Sequence, residues 1–181
     1  MKNLETLTKD QASEVSKEIF ESLEKKIGMI PNVYATIGNS PYALKATLSI
    51  GETIGKGEFS GKEVEAIALA VAQANECGYC LAAHTAVGKS QGFSEDETLA
   101  IRNGDIKDEK LKALTLLAKA ITESRGYPEQ ELINSFFDVG YSKAALAELI
   151  VLVGLNTITN YTNHMAETEI DFPAAPELAE A

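Results

Sequence analysis

The chain has 181 residues, enough for one domain with a sizeable buried core. Apolar residues make up 45% of it, and 27 acidic against 16 basic side chains leave a net charge of −11. Such a composition excludes an intrinsically disordered chain, and it excludes a phosphate-backbone binder, which gathers Lys and Arg on one face.

Helix punctuation recurs along the whole sequence. Thr8 with Gln11 reads as a capping box ahead of a helix ending near Lys26, with Gly28 as its stop. Pro31 and Pro41 each suit a first helical position, the second with Ser40 as N-cap. Ser60 with Glu63 repeats the capping box and opens an Ala-rich segment through Asn75, and helical periodicity resumes at 80–91 until Gly92. Ser94 with Glu97 caps a short helix ending at Gly104, and Asp108 starts another with Leu111, Leu114, Thr115 and Ala118 at amphipathic spacing. Pro128 begins a helix to about Val139, and Ser142 begins the last and longest, running toward Glu167. No stretch sustains the period-two alternation of a half-buried strand. The expected fold class is therefore all-α.

Two helices, Glu65 to Ala74 and Ala144 to Leu155, are apolar nearly all round. Helices of that kind are buried on more than one side, so a homo-oligomer is expected. No apolar run reaches the roughly 18 residues of a membrane-spanning helix. The opening MKNLETLTKDQ is polar and of mixed charge, without the apolar region of a secretion signal. A cytoplasmic location, with neither membrane nor nucleic acid as partner, is the expectation.

The two cysteines, Cys77 and Cys80, stand three apart. Two thiols are too few for a secreted disulfide framework, and a close pair in a reducing compartment reads as redox-active or metal-binding. If a helix starts near Gly78, Cys80 and His84 share a face, while Cys77 meets the unsatisfied N–H groups of the helix start, which favour a thiolate. His84 is then placed to accept the Cys80 proton directly or through a water, and Glu65 to orient the imidazole. Two plainer readings compete: a pair of buried small residues, or a zinc site made by Cys77, Cys80, His84 and Glu65. The second lacks the usual second pair of ligands.

The pattern E-x11-C-x2-C-x3-H, here Glu65, Cys77, Cys80 and His84, resembles the core motif of alkyl hydroperoxidase D-type proteins within the carboxymuconolactone decarboxylase-like superfamily. The stretch from Tyr161 to Pro173 resembles the ending of a peroxidase-related branch. The resemblance implies a single multi-helical domain over 1–181, with its core motif at about 40–125 and a long helix and tail at 142–181. It also implies trimers or hexamers and a peroxidase cycle. Cys80 would attack a small hydroperoxide and become a sulfenic acid. Cys77 would act as proton donor and then as resolving thiol, and a lipoyl- or thioredoxin-like dithiol would reduce the resulting disulfide. Glu65 and His84 map onto the family's proton relay. In one departure, Tyr79 stands between the cysteines where the family's peroxidases carry a second histidine. An ordinary tyrosine pKa of about 10 makes it a poor proton carrier at neutral pH.

General thiol–disulfide exchange and a carboxymuconolactone decarboxylase-like lyase are the alternative activities, and a redox sensor is the non-enzymatic one. No nicotinamide, flavin or haem site is indicated, since the dinucleotide fingerprint is missing and Leu81, not His, follows Cys80. Tyr34, Tyr42, Phe59 and Phe93 are candidates either for a substrate pocket or for core. Asn156, Asn160 and Asn163 share a helical face, directed to a subunit contact or to the thiols. His164 is expected at the surface near a helix end.

Overall fold

The computed structural model describes residues 3–178; positions 1–2 and 179–181 of the expected domain and tail lie outside them. The described residues form nine helices and no strand: α1 (Glu14–Ile27), α2 (Asn32–Ile37), α3 (Pro41–Ile54), α4 (Gly61–Ala74), α5 (Gly78–Ser90), α6 (Glu95–Asn103), α7 (Glu109–Glu123), α8 (Gln130–Asp138) and α9 (Lys143–Ala166).

The capping signals act where the sequence puts them in most cases. Ser60/Glu63 and Ser94/Glu97 both close full capping boxes, and Ser40, Asp108 and Ser142 cap α3, α7 and α9 with their side chains. Three starts differ from expectation. Thr8 and Gln11 make an isolated turn, with the Thr8 N–H donating to Gln11 Oε1 at 2.9 Å, because Ser13 caps α1 instead. Pro31 is the N-cap of α2 rather than its first residue. Pro128 stands ahead of α8, whose N-cap is Glu129.

α4 is the central element, packed against α5, α6, α7 and α9. Ile67, Leu69 and Val71 are fully buried, and alternating Ala66, Ala68, Ala70 and Ala72 let neighbours approach closely. One cluster joins Ile67, Val71, Leu114, Leu117, Phe136, Leu149 and Leu152 from α4, α7, α8 and α9. A second joins Phe20, Val33, Leu44 and Ala72 with Cys77, Tyr79 and Cys80. The thiol pair therefore sits inside a core. Among the described residues α9 alone is long and apolar enough by composition to cross a membrane, contrary to the expectation of no such run, though a third of that window is buried. That buried side carries Leu149 and Leu152, together with Asn156, Asn160 and Asn163.

Candidate functional site

The connection from α4 to α5 sets the thiols. α4 ends at Asn75, and Glu76 takes a left-handed φ of 54°, a conformation that costs a non-glycine residue about 1 kcal/mol or more. The Cys77 N–H then returns to Ala72 O at 2.9 Å and the Glu76 N–H to Gln73 O at 3.1 Å. Those two bonds make a Schellman ending, and its last residue, Cys77, is at the same time the N-cap of α5. The Cys77 sulfur accepts the Cys80 N–H at 3.3 Å. Both thiols are free and almost completely buried.

On the facing turns of α4 and α5, Glu65 Oε2 lies 2.9 Å from His84 Nδ1. Gly88, one turn on from His84, lies against Phe93: a Cβ there would stand 3.3 Å from its ring and in ordinary contact, 3.8 Å, with the Glu65 Cβ. Burial pushes the imidazole pKa down, but the Glu65 carboxylate, by charge and hydrogen bond, and Cys77 more than reverse this, leaving His84 above its ordinary value. The Cys77 thiol falls to about 7. Interaction with the Cys80 thiol is the largest cause, opposed by burial and aided by the Cys80 N–H, Asn163 and the charge of His84. Cys80 moves the other way, raised chiefly by its interaction with Cys77 and by burial, while Asn163 and Asn160 pull it down. The resting negative charge thus belongs to Cys77. No hydrogen bond joins His84 to either sulfur among the described residues, so any proton passing between them crosses a gap or a water.

The four motif residues, Glu65, Cys77, Cys80 and His84, converge on one α4–α5 corner. No group of three or more His, Cys, Asp and Glu side chains suited to a metal ion occurs among the described residues. A cavity of about 260 Å³ reaches His84 and is lined also by Tyr34, Thr47, Leu48, Gly51 and Leu155. The Tyr34 pKa is raised by burial, then by the charges of Glu65 and Cys80. A larger cleft of about 580 Å³, bounded by Lys62, Phe93 and Tyr141, holds none of the four. Of the other aromatic candidates, Tyr42 is exposed and Phe59 and Phe93 are core. His164 is exposed, as expected.

Tyr79 has a structural partner that sequence reading missed. Its O–H donates to Asp171 Oδ1 at 2.7 Å, its oxygen accepts the Val33 N–H at 3.2 Å, and the Asn32 N–H donates to Asp171 Oδ2 at 2.8 Å. Phe172 packs edge-on against its ring at 5.8 Å. Burial, then the Asp171 hydrogen bond, raise the phenol pKa well above 10. The residue between the cysteines pins the tail and the start of α2 to α5.

Similarity to known proteins points the same way. The fold is shared, over 94% of this chain and 92% of the other at a TM-score of 0.80 and 19% identity, with a variant of the debrominase Bmp8 in complex with 2,3,4-tribromopyrrole. It is shared with an uncharacterized peroxidase-related protein from Silicibacter sp. TM1040, at TM-score 0.79 and 20% identity, over 92% of this chain and 89% of that one. A peroxidase-related protein with an alkylhydroperoxidase AhpD core, from Ralstonia eutropha JMP134, gives TM-score 0.79 and 17% identity over 92% and 90%. No curated protein matches in sequence. The all-helical fold is thus of the alkyl hydroperoxidase D-like class. Residues 41–123, a little under half of the chain, match the carboxymuconolactone decarboxylase family. The family match contains all four motif residues.

Proposed function

We propose that the chain is a thiol-dependent peroxidase that reduces a small organic hydroperoxide through the Cys77–Cys80 pair. The observation that carries this reading is an acidic, buried Cys77 at a helix N-cap, three residues from a second thiol and beside a Glu65–His84 pair. In the resting site the Cys77 thiolate faces the protonated Cys80. Transfer of that proton to Cys77 leaves Cys80 as the thiolate that attacks the terminal oxygen of ROOH. The S–O bond forms as the O–O bond breaks. The alkoxide takes the proton from Cys77 and leaves as ROH, with Cys80 now a sulfenic acid. The Cys77 thiolate then attacks the Cys80 sulfur, and the departing hydroxide takes a proton from the His84 imidazolium to give water. An external dithiol, lipoyl- or thioredoxin-like, returns the disulfide to two thiols.

The test is thiol titration with intact mass before and after one equivalent of cumene hydroperoxide. The reading expects both thiols lost and a mass lower by about two hydrogens, and Cys80→Ser should abolish turnover with a dithiol reductant. Thiols inert to peroxide but oxidised by a disulfide reagent would replace peroxidase activity with disulfide exchange. Thiols inert to both would move the lyase reading forward.

Assembly belongs to the same proposal. Ile150, Val151, Ile158, Tyr161 and Met165 are exposed on α9, and most follow one helical stripe around Gly154. A second copy of this chain is the occupant we assign to that stripe, in the trimer or hexamer that the family resemblance implies. Light scattering on Ile158→Lys should show a smaller species than the parent, and an unchanged mass would remove the assignment.

A further inference from the structure

We infer that Asn163, backed by Asn160 and Asn75, forms a thiolate hole on α9 that allows Cys80, rather than Cys77 alone, to carry negative charge. Within the peroxidase cycle it depends on the reading above, but the thiolate chemistry is measurable without any peroxide.

The geometry is specific. Asn163 Nδ2 donates to Cys80 Sγ at 3.2 Å and lies 3.9 Å from Cys77 Sγ, so one amide group reaches both sulfurs and sits closer to Cys80. One turn earlier on the same face, Asn160 is fully buried. Its Oδ1 is taken by Asn75 Nδ2 at 2.8 Å, which fixes the orientation of the amide and leaves Asn160 Nδ2 buried without a hydrogen-bond partner. A buried donor left unmade is costly, and a charged sulfur alongside is the acceptor that would relieve it. Asn156, the third member of the series, behaves differently: its Nδ2 bonds back to Leu152 O at 2.9 Å. The two amides nearer the C-terminus are therefore the ones committed to the thiol site.

Chemistry gives this arrangement a task. At rest the charge lies on Cys77, held by the Cys80 N–H and the helix start. Attack through Cys80 requires that charge to move one sulfur along the motif, away from the helix N-terminus that favours it. Amide donors preset around the second sulfur offset that loss without reorganising solvent, in the manner of an oxyanion hole. Asn163 touches the reacting sulfur and is a catalytic residue in this sense. Asn160 and Asn75 are positioning residues behind it.

The test isolates Cys80. In a Cys77→Ser background, the pH midpoint for alkylation of Cys80 by iodoacetamide is measured alone and combined with Asn163→Ala or Asn163→Asp. The midpoint should rise by at least one pH unit with Asn163→Ala and further with Asn163→Asp, whose carboxylate repels the thiolate. In a Cys80→Ser background the same changes should move the Cys77 midpoint less, in keeping with 3.9 Å against 3.2 Å. A Cys80 midpoint that stays put in both variants, or moves no more than that of Cys77, would overturn the inference. Failure of the parent to be oxidised by peroxide would instead refute the peroxidase reading and leave the midpoint shifts standing.

Discussion

The acidity of Cys77 makes the stability of the reduced protein depend on pH in a way that can be worked from the site. Folding lowers the Cys77 thiol from 9.0 to about 7. Below pH 7 both the folded and the unfolded chain hold its proton, and the thiol contributes nothing. Between pH 7 and 9 the folded chain has released the proton and the unfolded chain still binds it, so stability rises with pH. At about 1.4 kcal/mol for each pH unit, the rise totals about 3 kcal/mol. Cys80 has the opposite sign, since its raised pKa keeps a proton in the folded state that the unfolded chain loses above about pH 9. Stability conferred by the pair should therefore peak near pH 9 and fall beyond it. The measurement is thermal unfolding from pH 6.5 to 10 in a phosphine reductant, comparing the parent with Cys77→Ser/Cys80→Ser so that other titrating groups largely cancel. For a chain of this length about 2–4 °C accompanies each kcal/mol, so the parent should gain about 6–12 °C on the double variant between pH 7 and 9. A flat or falling difference across that interval would refute the assignment of the resting thiolate to Cys77.

Three further outcomes follow from the same geometry. Glu65→Gln removes the carboxylate that holds His84 protonated, so the imidazole pKa falls and Cys77 loses a neighbouring cation; its alkylation midpoint should rise and the rate at pH 6.5 drop about tenfold, about 1.4 kcal/mol, as read by stopped-flow labelling. Asp171→Ala strips the acceptor from the Tyr79 O–H and the Asn32 N–H and should cost about 1.5–3 kcal/mol, seen in thermal melts together with faster hydrogen exchange at the Val33 amide. Leu149→Ala, at a fully buried position in the larger core cluster, should cost about 2–5 kcal/mol in urea unfolding, whereas Tyr127→Ala, at a residue 85% exposed, should stay within about 0.5 kcal/mol.

Legibility in the sequence followed the range of the interaction. Capping boxes at Ser60/Glu63 and Ser94/Glu97 are contacts across three residues, and a linear reading finds them. Thr8 with Gln11 has the same pattern but fails to open a helix, because Ser13 lies five residues on and caps α1. The motif cysteines and histidine were legible because they share one helix start, and Glu65 through the family resemblance. Asn163 was visible only as part of a one-sided amide series. Which sulfur it serves depends on how α9 crosses α5, across 83 residues of chain. Asp171 gave no local signal at all, since its partners Tyr79 and Asn32 are 92 and 139 residues away.

Tyr79, at the position where the family that the motif resembles carries a histidine in its peroxidases, has a structural task of its own. A phenol whose pKa is pushed well above 10 and whose proton is engaged by Asp171 has no proton to trade at neutral pH. Its neighbours make it a strut: Val33 on α2, Phe172 in the tail and the α5 start all bear on one ring. Acidity for the thiols then has to come from elsewhere, and the structure offers two sources. One is the Glu65–His84 pair acting through charge on Cys77, and the other is the α9 amides acting on Cys80. These sources act on different sulfurs, so they can be removed separately. Glu65→Gln should act mainly on the Cys77 midpoint and Asn163→Ala on that of Cys80, while Tyr79→Phe, which keeps the ring but not the hydroxyl, should lower thermal stability and leave both midpoints nearly where they were. A large shift at either cysteine in Tyr79→Phe would mean that the phenol does take part in the proton traffic after all.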